Sequence, residues 1–169
     1  KYVSSAWKRN CEEERLLGVS LTGIMDCKLT NGKAGDLEKL LTDLREVAVE
    51  TNKKWAKKLG INQSVSITCV KPSGTVSQLV DAASGIHARH NPFYIRTVRG
   101  DKKDPLTKMM VDAGFPVEDD VMNPNHTSVF SFPMKVHKSA VFRTDMSAIE
   151  QLELWLTYQK HWCEHKPSV

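Results

Sequence analysis

The stretch "SVSITCVKPSGTVSQL", residues 64–79, decides how the rest of the chain is read. Its first half, Ser64–Val70, carries β-branched residues on both faces, which suits a strand buried on two sides within a parallel or barrel sheet. Its second half leaves that strand through Lys71-Pro72-Ser73-Gly74-Thr75-Val76-Ser77. Such a turn has the parts of an anion site. Gly74 lets backbone approach a ligand, consecutive N–H groups can converge on an oxyanion, and Ser73, Thr75 and Ser77 add hydroxyl donors. A helix beginning near Thr75 or Val76 would add a favourable field for phosphate. The bland alternative is a plain strand-to-helix turn with Ser or Thr as its cap. This is not the GxxxxGK[ST] loop: one glycine stands where that motif has two, and no Lys follows Gly74.

Helical and extended patterns alternate on either side. "RLLGVSLTGIMD" (15–26) reads as a short strand or tight turn entering a helix, and "NGKAG" (31–35) as a loop. A long amphipathic helix is predicted from an Asp36 cap to a Gly60 stop, with Leu37, Leu40, Leu41, Leu44, Val47, Ala48, Thr51, Trp55 and Leu59 on one stripe. "PFYIRTVRG" (92–100) and "TSVFSFP" (127–133) read as extended. Between them Asp104 caps a short helix with Pro105 at its first position and Gly114 as its stop. "SAIE" (147–150) fits a capping box opening a last helix that runs towards Pro167, with Ile149, Leu152, Trp155, Leu156, Trp162 and Cys163 as its apolar positions. This alternation predicts an α/β fold in one domain, 1–169, with no dividing linker.

Composition excludes several classes. Hydrophobic residues are 40% and charged residues 26%, as in ordinary globular chains, and no apolar run is long enough for a spanning helix, so no membrane partner is expected. The net charge of +4 is scattered and accompanies no reader motif, which argues against direct nucleic-acid binding. Cys11, Cys27, Cys69 and Cys163 form no CxxC and no disulfide framework, so free thiols and a cytoplasmic setting are expected. Cys69 reads as an inert core thiol, alternating with Val65 and Ile67. "HWCEH" (161–165) puts His161 and His165 on one helix face, but two further ligands are wanting, so no metal site is expected. Lys71, His87 and Arg89 are candidate accessory charges for a polyanion. The chain opens with Lys1 and closes on "KPSV", and both ends read as cut.

Taken in order, "RLLGVSLTG" (15–23), the long helix, "SVSITCVKPSGTVSQLVDAASGIHARH" (64–90) and "HWCEHKPSV" (161–169) resemble the ribonucleotide reductase catalytic chain. The resemblance is strongest to the adenosylcobalamin-dependent (class II) ribonucleoside-triphosphate reductases. It implies part of a ten-stranded α/β barrel and a substrate-phosphate loop at Ser73, Gly74, Thr75, Val76 and Ser77. It also implies a ribonucleoside triphosphate substrate, adenosylcobalamin as cofactor and a thioredoxin-type dithiol as reductant.

Family chemistry starts from a cysteine thiyl radical on an Asn-x-Cys-x-Glu-type finger loop and ends at C-terminal redox cysteines. "NCEEE" (10–14) does not match that loop, and no catalytic residue is expected in this stretch. The chain is therefore expected to be an inactive fragment whose cut edges favour self-association, which sedimentation at micromolar concentration would test. The alternatives are a class I, diphosphate-reducing catalytic chain and a non-catalytic nucleotide-binding module.

Overall fold

A computed structural model of the chain describes residues 3–165 and residue 167. In chain order the elements are α1 (Ser5–Glu14), β1 (Val19–Ser20), a 3-10 turn (Ile24–Asp26), α2 (Leu37–Leu59), β2 (Thr68–Cys69), α3 (Val76–Leu79), β3 (Phe93–Asp101), α4 (Pro105–Asp112), β4 (Val117–Asp119), β5 (Thr127–Lys135) and α5 (Ala148–His161). They form two compact units: Lys1–Arg89 with Ser139–Val169, and His90–Lys138. No composition shift marks that division in the sequence.

In the first unit, α2 starts where Asp36 accepts the Lys39 N–H at 2.9 Å and stops at Gly60, whose left-handed backbone (φ 66°) returns its N–H to Ala56 and Lys57. α2 packs on α5, and Leu37, Leu41, Leu154, Tyr158 and Trp162 join Ile24, Met25, Val70, Ile86 and Val141 in one core. Two polar tips inside that core find backbone carbonyls. Tyr158 Oη donates to Thr30 O at 2.7 Å, and Trp162 Nε1 donates to Cys69 O at 2.7 Å.

β1 and β2 pair in parallel, Val19 opposite Thr68 and Ser20 opposite Cys69. The other side of β2 is closed by the Glu164 N–H on Thr68 O (2.9 Å), while the Glu164 carboxylate accepts Ile67 N–H (2.6 Å). Parallel pairing and two-sided burial are as predicted, but the ladder covers Thr68–Cys69 and not all of 64–70. Val65 lies 66% exposed, outside it.

Two further expectations are corrected. On α5, Leu154 and Tyr158 face the core, whereas Ile149, Leu152 and Leu156 are exposed. The capping box at Ser147 and Glu150, with Gln151 Nε2 donating to Ile86 O (2.6 Å), fixes that rotation. The helix also ends at His161, not near Pro167.

The second unit is an antiparallel sheet of order β3-β5-β4, so the chain is mixed and does not alternate strictly as α/β. β3 and β5 pair from Phe93 opposite Lys135 to Asp101 opposite Thr127. α4 is capped as predicted, with Asp104 Oδ1 accepting Leu106 N–H at 2.8 Å and Pro105 first in the helix. Gly100 leaves the room that the Thr107 side chain occupies. No helix among the described residues is long and apolar enough to cross a membrane.

Candidate functional site

The loop that follows β2 is fastened at both ends. At its entry the Lys71 N–H donates to Ser20 Oγ at 2.9 Å. At its exit the Ser77 N–H donates to Ser73 O at 2.8 Å and the Ser77 hydroxyl donates to the same carbonyl. Ser77 is fully buried and its oxygen also accepts from Gln78 Nε2 (3.2 Å), so this hydroxyl is committed to shaping the turn.

Ser73 Oγ is held by the Gly85 N–H (3.1 Å) and lies 3.1 Å from Thr22 Oγ1 and 3.4 Å from Ser84 Oγ. Thr22, 51 residues upstream and exposed, therefore belongs to the site, and nothing in the local sequence flagged it.

Between these anchors Gly74, Thr75 and Val76 face solvent. Among the described residues their backbone N–H groups have no hydrogen-bond partner. Thr75 stands at the N-cap of α3, yet its side chain makes no capping bond, so the ordinary use of a hydroxyl here is not made. α3 is a single turn of four residues and adds little field of its own. Gly74 has no positive φ, and a Cβ there would meet nothing within 4 Å. The fold does not require this glycine. The open space beside it is available to a ligand that approaches the backbone closely.

The accessory candidates separate. Lys71 lies across Gly18, whose missing Cβ makes room for it, and lines a groove of about 400 Å³ with Leu17, Cys69 and His165. His87 is exposed on the following turn. Arg89 is buried, 6% exposed, and its guanidinium grips Asp26 with Nε–Oδ1 and Nη2–Oδ2 both at 2.9 Å. Its charge is paired with Asp26 inside the fold.

The chain is 29% identical to an adenosylcobalamin-dependent ribonucleoside-triphosphate reductase of Euglena gracilis, over 96% of this chain and 23% of the relative. It is 27% identical to the reductase of that name from Lactobacillus leichmannii, over 93% of this chain and 25% of the relative. A crystal structure of a B12-dependent (class II) ribonucleotide reductase superposes with a TM-score of 0.83 at 26% identity, covering 99% of this chain and 27% of that one. The chain is a homologue of part of the class II ribonucleotide reductases. It spans about a quarter of the length of these relatives. No family model matches it.

In this reductase homologue the thiols sort by environment. Cys27 is exposed, and hydrogen bonding from the Leu29 backbone holds its thiol below the usual range. Cys69 and Cys163 are buried; desolvation pushes both up, Cys163 to about 12. A buried neutral thiol is a poor nucleophile. A disulfide reagent at neutral pH is therefore expected to modify Cys27 first and to reach Cys69 and Cys163 only on unfolding. Native-state labelling of Cys163 as fast as Cys27 would contradict this packing.

His161 and His165 do not share a helix face. His161 closes α5, with Nδ1 3.3 Å from Thr42 Oγ1, and His165 Nε2 lies 3.1 Å from Leu17 O beyond the helix end. No cluster of three or more His, Cys, Asp or Glu among the described residues is placed to hold a metal.

Proposed function

We propose that this chain supplies the substrate-phosphate loop of an adenosylcobalamin-dependent ribonucleoside-triphosphate reductase, an enzyme that makes 2′-deoxyribonucleotides by thiyl-radical chemistry. The observation that carries the proposal is the exposed run Gly74-Thr75-Val76, with unspent N–H groups, an unspent Thr75 hydroxyl and open space over Gly74. Converging N–H donors suit the equatorial oxygens of a phosphate, and the hydroxyl adds a donor that follows the anion. Ser73 and Ser77 shape the turn from below, Lys71 contributes positive charge at its margin, and His87 is a further candidate contact.

Within the proposal the chain forms part of a ten-stranded barrel, of which β1 and β2 are two parallel strands. Its residues bind and orient the triphosphate, and no thiyl, redox or proton-transfer step is assigned to Cys11, Cys27, Cys69 or Cys163. In the whole reductase, adenosylcobalamin would supply the radical and a thioredoxin-type dithiol the reducing equivalents. Exposed apolar side chains on α2 and α5, Val47, Trp55, Leu59, Ile149 and Leu152 among them, support association with a second copy or with further reductase structure.

The deciding experiment assays the intact natural protein for ribonucleoside-triphosphate reduction with a dithiol, with and without adenosylcobalamin. Turnover that requires the cobalamin is expected. Turnover only with a radical-generating partner subunit would move the protein to class I, and no turnover in either format would leave a nucleotide-binding module.

A further inference from the structure

The ion pair Asp26–Arg89, with Arg89 buried and Asp26 half-buried, is committed to one stretch of backbone, and that stretch leads to the loop. Asp26 Oδ1 accepts from Arg89 Nε, and Oδ2 accepts both from Arg89 Nη2 and from the Ala83 N–H at 2.6 Å. Arg89 Nη2 also donates to the carbonyl of Asp81 at 2.7 Å, and Nη1 lies 3.5 Å from the Asp81 carboxylate. Asp81 has a left-handed backbone (φ 47°), uncommon outside glycine, so its conformation needs holding from outside.

The next links are equally specific. The Ala83 carbonyl accepts from Gly23 N–H at 2.9 Å and from Thr22 Oγ1 at 3.3 Å. Thr22 Oγ1 meets Ser73 Oγ at 3.1 Å, and the Gly85 N–H donates to Ser73 Oγ from the same segment. The guanidinium at Asp81 and the Asp26 carboxylate at Ala83 thus fix 81–83, and 81–85 with Thr22 fixes Ser73, the residue from which the Gly74-Thr75-Val76 N–H groups spring.

We propose that Asp26 and Arg89 are positioning residues for phosphate binding: their bidentate pair sets the orientation of the Gly74–Val76 N–H groups through Ala83, Thr22 and Ser73. The proposal rests on the phosphate-loop reading above and adds to it how the loop is kept ready before the ligand arrives. Pre-set donors cost no reorganisation on binding, which is where a buried network contributes to affinity. Lysine at position 89 would keep the charge but could not span Asp26 and the Asp81 carbonyl with a planar fork. Asparagine at position 26 would keep the shape but present a donor where Arg89 or the Ala83 N–H needs an acceptor.

The test uses the intact natural protein and inorganic tripolyphosphate as the probe, with affinity by calorimetry and the thermal unfolding midpoint measured in parallel. Binding abolished by Gly74→Glu defines the part that belongs to the loop. For that part, Arg89→Lys and Asp26→Asn are each expected to weaken affinity about tenfold, and the double variant no more than either single one, because all three break the same relay. Variants with a lower unfolding midpoint but wild-type affinity in the folded protein would overturn the proposal, since a purely structural pair behaves that way. If Arg89→Lys does not fold, Thr22→Val breaks the relay at its exposed end. A weakening of about threefold is expected there, and unchanged affinity would again overturn the proposal. Tripolyphosphate binding that survives Gly74→Glu intact would instead remove the phosphate-loop reading on which it rests.

Discussion

Gly74→Glu is expected to raise the KM for a ribonucleoside triphosphate about 100-fold in the intact protein, with thermal unfolding almost unchanged. The two halves of that expectation have separate causes. A Cβ at position 74 meets nothing within 4 Å, and no positive φ strains a side chain there, so the substitution falls among surface changes worth about 0.5 kcal/mol or less. A bound triphosphate, however, would face the added carboxylate at about 5 Å. At an effective dielectric near 20 that repulsion is about 3 kcal/mol, and about 2.7 kcal/mol is a factor of 100. Gly74→Ala separates charge from bulk: it keeps the Cβ and removes the repulsion, so most of the KM should be regained. Steady-state kinetics on the two variants check the claim, and a KM for Gly74→Glu within threefold of wild type would remove phosphate from this loop.

Local chemistry was the legible part of the chain. Asp36, Asp104 and Ser147 cap helices as their neighbours predicted, and Gly60 and Gly114 take left-handed backbone where α2 and α4 end. Each of those signals acts within a few residues, so sequence spacing carries it in full. What escaped depends on tertiary partners. α1 buries no residue, leaving no apolar stripe for a periodicity argument to find. β4 is exposed along its three residues and is a strand only because Val117–Asp119 face Ser128–Phe130. α5 offers apolar residues on more than one face, and only a capping box and one bond to Ile86 choose between them.

The site divides in the same way. The turn chemistry of Ser73-Gly74-Thr75 follows directly on β2, so its residue types could be read as an anion nest without any partner. The roles within the turn could not. Whether a hydroxyl is free or spent depends on contacts such as Thr22 with Ser73, across 51 residues, and on the buried turn geometry at Ser77. Arg89 is the sharpest case. Between two histidines in "GIHARH" it reads as exposed positive charge, but a carboxylate 63 positions upstream draws it into the core. A charge beside a candidate anion site is evidence for a ligand only after its internal partners have been ruled out.

Leu41 and Val47 lie on one predicted stripe of α2, and the chain treats them oppositely. Leu41 is 0% exposed, within the core that includes Leu154 and Tyr158, whereas Val47 is 65% exposed. Leu41→Ala removes buried methyl groups and leaves a cavity, so a loss of about 3 kcal/mol is expected, a large fraction of a small unit's stability. Val47→Ala should cost about 0.5 kcal/mol or less in dilute chain, because it removes little buried surface. Urea unfolding of the two variants at low and high protein concentration makes the comparison informative. If a second copy covers the outer half of the α2 stripe, Val47→Ala becomes costly as concentration rises while Leu41→Ala does not change. A Val47→Ala loss equal to that of Leu41→Ala at the lowest concentration would mean that the stripe is already buried in the single chain, contrary to this structure.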